Sequence, residues 1–173
     1  AIEHVVTVIH ADDRALYDSA SAAHPKLAAP VTGGATRAQS VLNGLLSQQD
    51  APPDRVLIHD AARPFLTQAV ISRVIASLNI EEGAVPTLPA IDSMRRIENG
   101  ALAAPVPRDG IGRAQTPQGF RYAVLLPIMQ AAAENDTLDS LSDEAEALIA
   151  AGRRVASVEG DPINFKLTVP EDF

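Results

Sequence analysis

The chain has 173 residues, 46% of them apolar, which suits one globular domain with a real core and excludes a disordered segment. A formal net charge of −8 and an aromatic content of 3% argue against a nucleic-acid surface, whether electrostatic or built on base stacking. The absence of cysteine excludes disulfides, thiolate zinc sites and a cysteine nucleophile, and no apolar run is long enough to cross a bilayer.

The chain opens in mid-element. Val5, Val6, Val8 and Ile9 read as a buried strand, and Asp12 is placed to cap a helix over roughly 13–22 with Ala15, Leu16 and Ala20 on one face. Leu27 to Val31 reads as a short strand weakened by Pro30. Gly33-Gly34 then precedes a helix whose apolar side is Val41, Leu42, Leu45 and Leu46. A glycine pair before a helix can offer backbone amides to an anion, with Arg37 and Ser40 beside it. The spacing is neither a Walker loop nor a GxGxxG fingerprint, and a plain turn fits as well.

Arg55 to Phe65 is the stretch around which the rest is organised. Val56, Leu57 and Ile58 form a continuous apolar run, the mark of a parallel strand covered on both faces. Asp60 falls where such a strand ends, the edge at which open α/β sheets bind ligands, and Arg63 follows. Two readings stand. An acid for a hard cation and a guanidinium for phosphate oxygens would suit a metal-bound phosphate. A strand-ending Asp that caps the next turn and pairs with the Arg fits the spacing equally well.

Thr67 is placed to cap a helix to about Leu78, with Val70, Ile71, Val74, Ile75 and Leu78 inward. Gly83 opens a strand at Ala84-Val85 that Pro86 and Pro89 should disturb. Asn99-Gly100 between the extended runs 91–97 and 101–106 predicts a β-hairpin, a projecting arm of the kind that meets a second subunit. A helix follows from about Tyr122 to Glu134, strained by Pro127. Ser140 or Ser142 caps the next, with Asp143 and Glu144 as first-turn helix acids. Val155 to Val158 is a strand. Ile163, Phe165 and Leu167 alternate with Asn164, Lys166 and Thr168, which predicts a last strand with one core face and one polar face. Thr168 to Asp172 reads as a helix start. Strands alternating with helices define an α/β chain with a mostly parallel sheet, interrupted by the arm.

Four runs occur in order: Gly33-Gly34 with Arg37 and Ser40-Val41; His59 to Pro64; Ala114 to Phe120; and Gly160-Asp161 with Asn164 to Thr168 and Pro170 to Asp172. Together they resemble the 2-C-methyl-D-erythritol 4-phosphate cytidylyltransferases, over nearly the whole chain. The style resembles the bacterial versions fused to a downstream cyclodiphosphate synthase. The resemblance implies a Rossmann-like fold of the nucleotidyltransferase type and a cytoplasmic, Mg²⁺-dependent homodimer joined through the arm at 91–107. It implies attack of an oxygen of methylerythritol phosphate on the α-phosphorus of CTP, with loss of pyrophosphate.

Carried over by position, Asp60 matches the acid at the metal and substrate hydroxyls, and Ala61 and Ala62 offer backbone near the nucleotide. Arg63 lies beside the substrate. Gly34, with Gly33 before it, and Ser40 match cytosine and ribose contacts, while Arg37 braces that loop. Ser93 stands for a threonine on the arm that contacts phosphate. Arg108 and Thr116 match the phosphate cradle, Arg108 reaching into the neighbouring subunit. Lys166 matches a lysine on the substrate and the reacting phosphate. Without the family, Lys166 would read as a solvated lysine, Thr116 as a turn initiator and Arg108 as one of several exposed arginines. His59 reads as packed structure, not a general base.

The family's opening strand and glycine-rich loop, with an Arg and a Lys for the CTP triphosphate, do not precede Ala1, and the helix begun at Thr168 stops at Phe173. A chain truly lacking that loop is expected to bind CTP poorly. Two rival readings are a relative acting on another polyol phosphate, such as ribitol 5-phosphate, and a non-catalytic dimerisation module on the same fold.

Overall fold

The computed structural model describes residues 2–172. In chain order its elements begin with β1 (Val8–Ile9), α1 (Arg14–Ala20), β2 (Val31–Thr32), α2 (Arg37–Leu46), β3 (Arg55–Ile58) and α3 (Gln68–Ser77). Next come β4 (Gly83–Pro89), β5 (Met94–Glu98), β6 (Ala101–Val106), β7 (Gly112–Ala114) and β8 (Gln118–Arg121). The chain closes with α4 (Tyr122–Glu134), α5 (Glu144–Ala150) and β9 (Val155–Glu159). They fall into two compact units, Ala1–Val56 with Phe120–Arg154, and Leu57–Gly119 with Val155–Phe173.

In the first unit β1 and β2 pair in parallel, Val8 opposite Val31. The opening strand is shorter than its apolar run suggests: Val5 makes only an isolated bridge to Leu27. Helix α1 buries none of its residues, and Leu16 is exposed, so the predicted inward face is absent. Helix α2 does bury Ala38, Leu42 and Leu45, as its 3.6-residue period requires. Helix α4 is apolar on most sides and keeps Pro127 inside it, with Tyr122, Leu125, Leu126 and Met129 buried. The Tyr122 hydroxyl donates to the Leu45 carbonyl at 2.8 Å, satisfying the one polar atom of that side chain.

The start of α5 differs from expectation. Its N-cap is Asp143, which accepts from the Glu146 N–H at 2.9 Å. Glu144 is a first-turn acid as expected, but it is 1% exposed and pairs with Arg37. Glu146 turns back and accepts from both the N–H and the hydroxyl of Ser142, each at 2.7 Å, a reciprocal cap.

In the second unit β4 is the hub. It runs parallel to β9, Val85 opposite Ser157, and antiparallel to β7, Leu88 opposite Arg113. The sheet is therefore α/β in setting but mixed in direction, and β4 carries Pro86 and Pro89 without breaking. Pro86 has no N–H to donate, but its carbonyl accepts from the Gln115 N–H at 2.8 Å. Val74, Leu78 and Ala84 form the core here, with Leu57 and Val158 packed against them. A Cβ on Gly119 would lie 2.4 Å from Val74 Cγ1, so the approach of β8 to α3 depends on glycine.

Strands β5 and β6 form the antiparallel hairpin, Met94 opposite Val106. Asn99 and Gly100 take φ of 51° and 78°, the left-handed pair that a two-residue turn of this hand requires. No strand covers 163–168. Asn164 is fully buried while Ile163 and Phe165 are exposed, the reverse of the predicted faces.

The Ser142 N–H, and then its hydroxyl, hold the Glu146 carboxyl below its ordinary pKa of 4.5. A lowered folded pKa contributes stability that is present above the unfolded value and lost as pH falls through the folded one. An NMR titration is expected to place the Glu146 midpoint below 4.5, with Ser142→Ala moving it part of the way back because the backbone donor remains. An unmoved midpoint in Ser142→Ala would contradict the side-chain bond.

Candidate active site

The second unit brings four of the anticipated residues together. Asp60 follows β3 in a tight turn closed by the Arg63 N–H on the Asp60 carbonyl at 3.0 Å. Its carboxylate lies 3.2 Å from Lys166 Nζ and 3.7 Å from Arg63 Nε. The Asp60 and Arg63 side chains are 16% and 12% exposed, whereas Lys166 is 43% exposed. Two cations around one carboxylate leave a local surplus of one positive charge. That surplus, with the more open lysine at its rim, suits a phosphate anion.

Thr116, in the segment before β8, is the fourth. Its Oγ1 accepts from the Asp60 N–H at 3.0 Å and is bonded to His59 Nδ1 at 3.0 Å. His59 Nε2 lies 3.1 Å from the Arg63 carbonyl, which can only accept. In the neutral ring Nε2 therefore carries the hydrogen and Nδ1 accepts from the Thr116 hydroxyl. Both ring nitrogens of His59 are engaged in holding the loop, although the residue itself is exposed.

Beneath these residues lies a buried amide network that the sequence motifs contained without revealing. Gln115 Nε2 donates to the carbonyls of Asp161 at 2.9 Å and Asn164 at 3.0 Å, and its Oε1 accepts from the Asp161 N–H at 3.0 Å. Asn164 Nδ2 donates to the Thr116 carbonyl at 2.7 Å. Arg63 Nη1 donates to the Asn164 carbonyl at 2.9 Å. The Leu167 N–H donates to the Ala62 carbonyl at 2.8 Å, and Phe65 meets Phe165 with ring centroids 5.4 Å apart. Three loops are thus fastened to one another, one after β3, one before β8 and one after β9. Gly160 was the available signal: a Cβ there would lie 2.5 Å from Gln115 Oε1 and 3.0 Å from the Thr87 carbonyl.

Ser93 and Arg108 stand outside this cluster. Ser93 is exposed just before β5, and Arg108 Nη1 donates to the Ile91 carbonyl at the base of the hairpin. Ala61 is exposed and Ala62 half-buried.

Gly33, Gly34 and Ser40 belong to the first unit. The Gly33 N–H donates to the Ile9 carbonyl at 2.8 Å and the Gly34 N–H to Ser40 Oγ at 3.1 Å. Both amides are engaged within the protein, so the pair is not an anion cradle. Arg37 likewise turns its guanidinium to Glu144, not toward an anion.

Among the described residues no three His, Asp or Glu side chains cluster as a ready-made metal cage. Asp60 alone supplies a hard oxygen donor at the site. That donor set fits Mg²⁺, which keeps several waters and is held through one or two carboxylates together with substrate phosphates.

The fold and this phosphate-suited site define the class first. A solved 4-diphosphocytidyl-2C-methyl-D-erythritol synthase matches with a TM-score of 0.87 at 33% identity, over 99% of this chain and 78% of that one. The fold is the α/β fold of that nucleotidyltransferase type. The chain belongs to the 2-C-methyl-D-erythritol 4-phosphate cytidylyltransferase family, whose family model matches residues 1–173. A "Bifunctional enzyme IspD/IspF" of Paramagnetospirillum magneticum is 46% identical over 98% of this chain and 43% of its own length. A 2-C-methyl-D-erythritol 4-phosphate cytidylyltransferase of Cereibacter sphaeroides is 40% identical over 99% of this chain and 74% of its own length. The chain therefore spans less than half the length of the bifunctional relative.

Asn164→Ala would leave the Thr116 carbonyl buried without its donor, a loss of roughly 1–3 kcal/mol. Urea denaturation is expected to register that loss, with Ser93→Ala within about 0.5 kcal/mol of the parent. Equal midpoints for the two variants would rule out the amide network as a structural hub.

Proposed function

We propose that the protein transfers a cytidylyl group from CTP to 2-C-methyl-D-erythritol 4-phosphate, a step of the non-mevalonate isoprenoid pathway. A phosphate oxygen of the acceptor attacks the α-phosphorus of CTP. The bond from that phosphorus to the bridging oxygen of the β-phosphate breaks, and pyrophosphate leaves with its electron pair. The observation that carries the reading is the Asp60 carboxylate held between Lys166 and Arg63.

Little covalent chemistry is asked of the protein in such a transfer. Its work is to align two polyanions and to offset charge on the phosphate under attack. Lys166, the more exposed cation, contacts the acceptor and the α-phosphate. Arg63, pinned by the Asn164 carbonyl, contacts the acceptor. Asp60 orders both cations, contacts acceptor hydroxyls, and is the residue that would hold Mg²⁺, which when bound supplies further positive charge to the phosphates. Thr116, Ser93 from the arm and Arg108 just after it complete a phosphate cradle. Ala61 and Ala62 offer backbone to the nucleotide, and Gly33, Gly34 and Ser40 contact its base and ribose; the ordered motifs support these roles.

The reading extends to the whole molecule. The family match runs without interruption from 1 to 173, which supports one cytidylyltransferase domain, and the parallel pairs β1–β2 and β4–β9, each in its own sheet, support the mostly parallel reading. The exposed Met94, Ile97 and Leu102 support a homodimer formed through the hairpin. Among the described residues no helix is long and apolar enough to cross a membrane, and the use of CTP suits the cytoplasm.

Pyrophosphate release by the full-length protein tests this, with CTP, Mg²⁺ and methylerythritol phosphate, and ribitol 5-phosphate in a parallel reaction. Release with the first acceptor alone is expected. Lys166→Met and Asp60→Asn are each expected to lower kcat by at least about 100-fold, the scale of removing one donor from a transition-state charge site. Comparable release with ribitol 5-phosphate, or wild-type rates in both variants, would overturn the assignment.

A further inference from the structure

The first unit contains a buried ion pair that the proposed chemistry does not use. Arg37 Nη1 and Nη2 fork onto Glu144 Oε1 and Oε2 at 2.7 and 3.0 Å. Glu144 is 1% exposed and Arg37 41%, so a carboxylate is sealed inside the unit by a guanidinium that reaches it from the surface. A buried pair of this kind costs about as much in desolvation as it returns in attraction, and apolar side chains of like volume often do as well for stability. Its position accounts for it better than its energy.

Arg37 is the first residue of α2, directly after the N-cap Thr36. Thr36 is fastened as well: its hydroxyl donates to Asp139 Oδ1 at 2.6 Å and accepts from the Gln39 N–H at 3.2 Å. The Thr36 carbonyl accepts from the Ser40 hydroxyl at 2.9 Å, and Ser40 Oγ accepts from the Gly34 N–H at 3.1 Å. The turn has no slack. A Cβ on Gly34 would lie 2.0 Å from Gln39 Cγ, and one on Gly33 would lie 2.7 Å from Ser40 Oγ. The chain from Gly33 to Ser40 is thus folded on itself, and its outer support is two acids more than a hundred residues later, Asp139 and Glu144.

We infer that Glu144, with Asp139, is a positioning residue for the nucleotide: through Arg37 and Thr36 it fixes the Gly33–Ser40 turn at which the base and ribose bind. This rests on the reading of Gly34 and Ser40 as nucleotide contacts. Neither acid touches the nucleotide. Each holds the start of α2, and a shift of that start moves Ser40 Oγ and the Gly34 backbone together. Misplacement by about 1 Å can cost up to about 100-fold where geometry sets the rate.

The test compares steady-state kinetics and Tm of the full-length protein carrying Glu144→Gln, Asp139→Asn, the double change Arg37→Met with Glu144→Leu, and Ser40→Ala. The apolar double change keeps volume and removes both charges, so its Tm is expected to stay within a few degrees of the parent. Its KM for CTP is expected to rise about tenfold or more, with KM for methylerythritol phosphate unchanged. Glu144→Gln, which keeps one acceptor for Arg37, is expected to rise less, and Asp139→Asn to rise in the same direction. An unchanged KM for CTP in the double change, while Ser40→Ala raises it, would overturn this inference alone. An unchanged KM for CTP in Ser40→Ala would overturn the nucleotide reading and this inference with it. Equal rises in both KM values would mark the pair as a general structural support and overturn the inference as well.

Discussion

The side-chain amide of Gln115 is the constraint on which the second unit's site depends. It gives and takes a hydrogen bond with the backbone of Asp161, as a peptide group would in a neighbouring strand. One side chain thus extends the pairing of the sheet past the end of β9, where the backbone no longer follows it. Asn164 then carries the linkage to Thr116, and Thr116 to the Asp60 amide. The charged residues at the rim hold their places because neutral amides beneath them tie the surrounding backbone together. This is the usual economy of buried polar networks: fully paired they rigidify, and half paired they cost more than an apolar core. Two buried atoms here have no hydrogen-bond partner among the described residues: Asn164 Oδ1, and Arg63 Nε, which faces the Asp60 carboxylate at 3.7 Å.

Much of this was legible in the sequence, and the parts that were not have physical reasons. Asn99-Gly100 gave the hairpin because few residue pairs accept two successive left-handed conformations. Helices α3 and α4 were legible because their apolar positions recur at helical spacing. The segment 163–168 misled because alternation is evidence for a strand only where a neighbour exists to pair with it. Here the alternating side chains belong to a loop whose buried member is an asparagine recruited by distant carbonyls. Pro86 and Pro89 misled in the other direction, since a proline costs a strand only the hydrogen bond its own N–H would have made. Glu144 was read as the first-turn acid it is, but its burial was not legible because the partner it meets lies 107 residues earlier. Asp60, Arg63, Thr116 and Lys166 were found by motif; the Asp60–Arg63 pairing was one of two readings of their spacing, and the approach of Thr116 and Lys166 to Asp60 was not readable from any spacing.

The balance of charge is settled by distance. The chain as a whole carries −8, which disfavours approach by a polyanion. At physiological ionic strength fields from exposed charges are screened beyond about 8 Å, so remote acids contribute little at the cluster itself. What a phosphate would meet there is the local sum of Lys166, Arg63 and Asp60, which is positive. The same arrangement favours a small anion at the cluster over a long polyanion, which would meet the net charge of the whole chain.

The way the chain is divided between its two units has a consequence for its birth on the ribosome. Each unit is assembled from separated stretches: the first needs 120–154 to join 1–56, and the second needs 155–173 to join 57–119. Strand β4 emerges some seventy residues before its parallel partner β9. Neither half can close while the nascent polypeptide is still short, so the stretch 57–119 waits with an unmatched strand edge until 155–173 leaves the exit tunnel. Lys166 arrives with that stretch. Closure of the second unit and completion of its charged cluster are thus one event in synthesis.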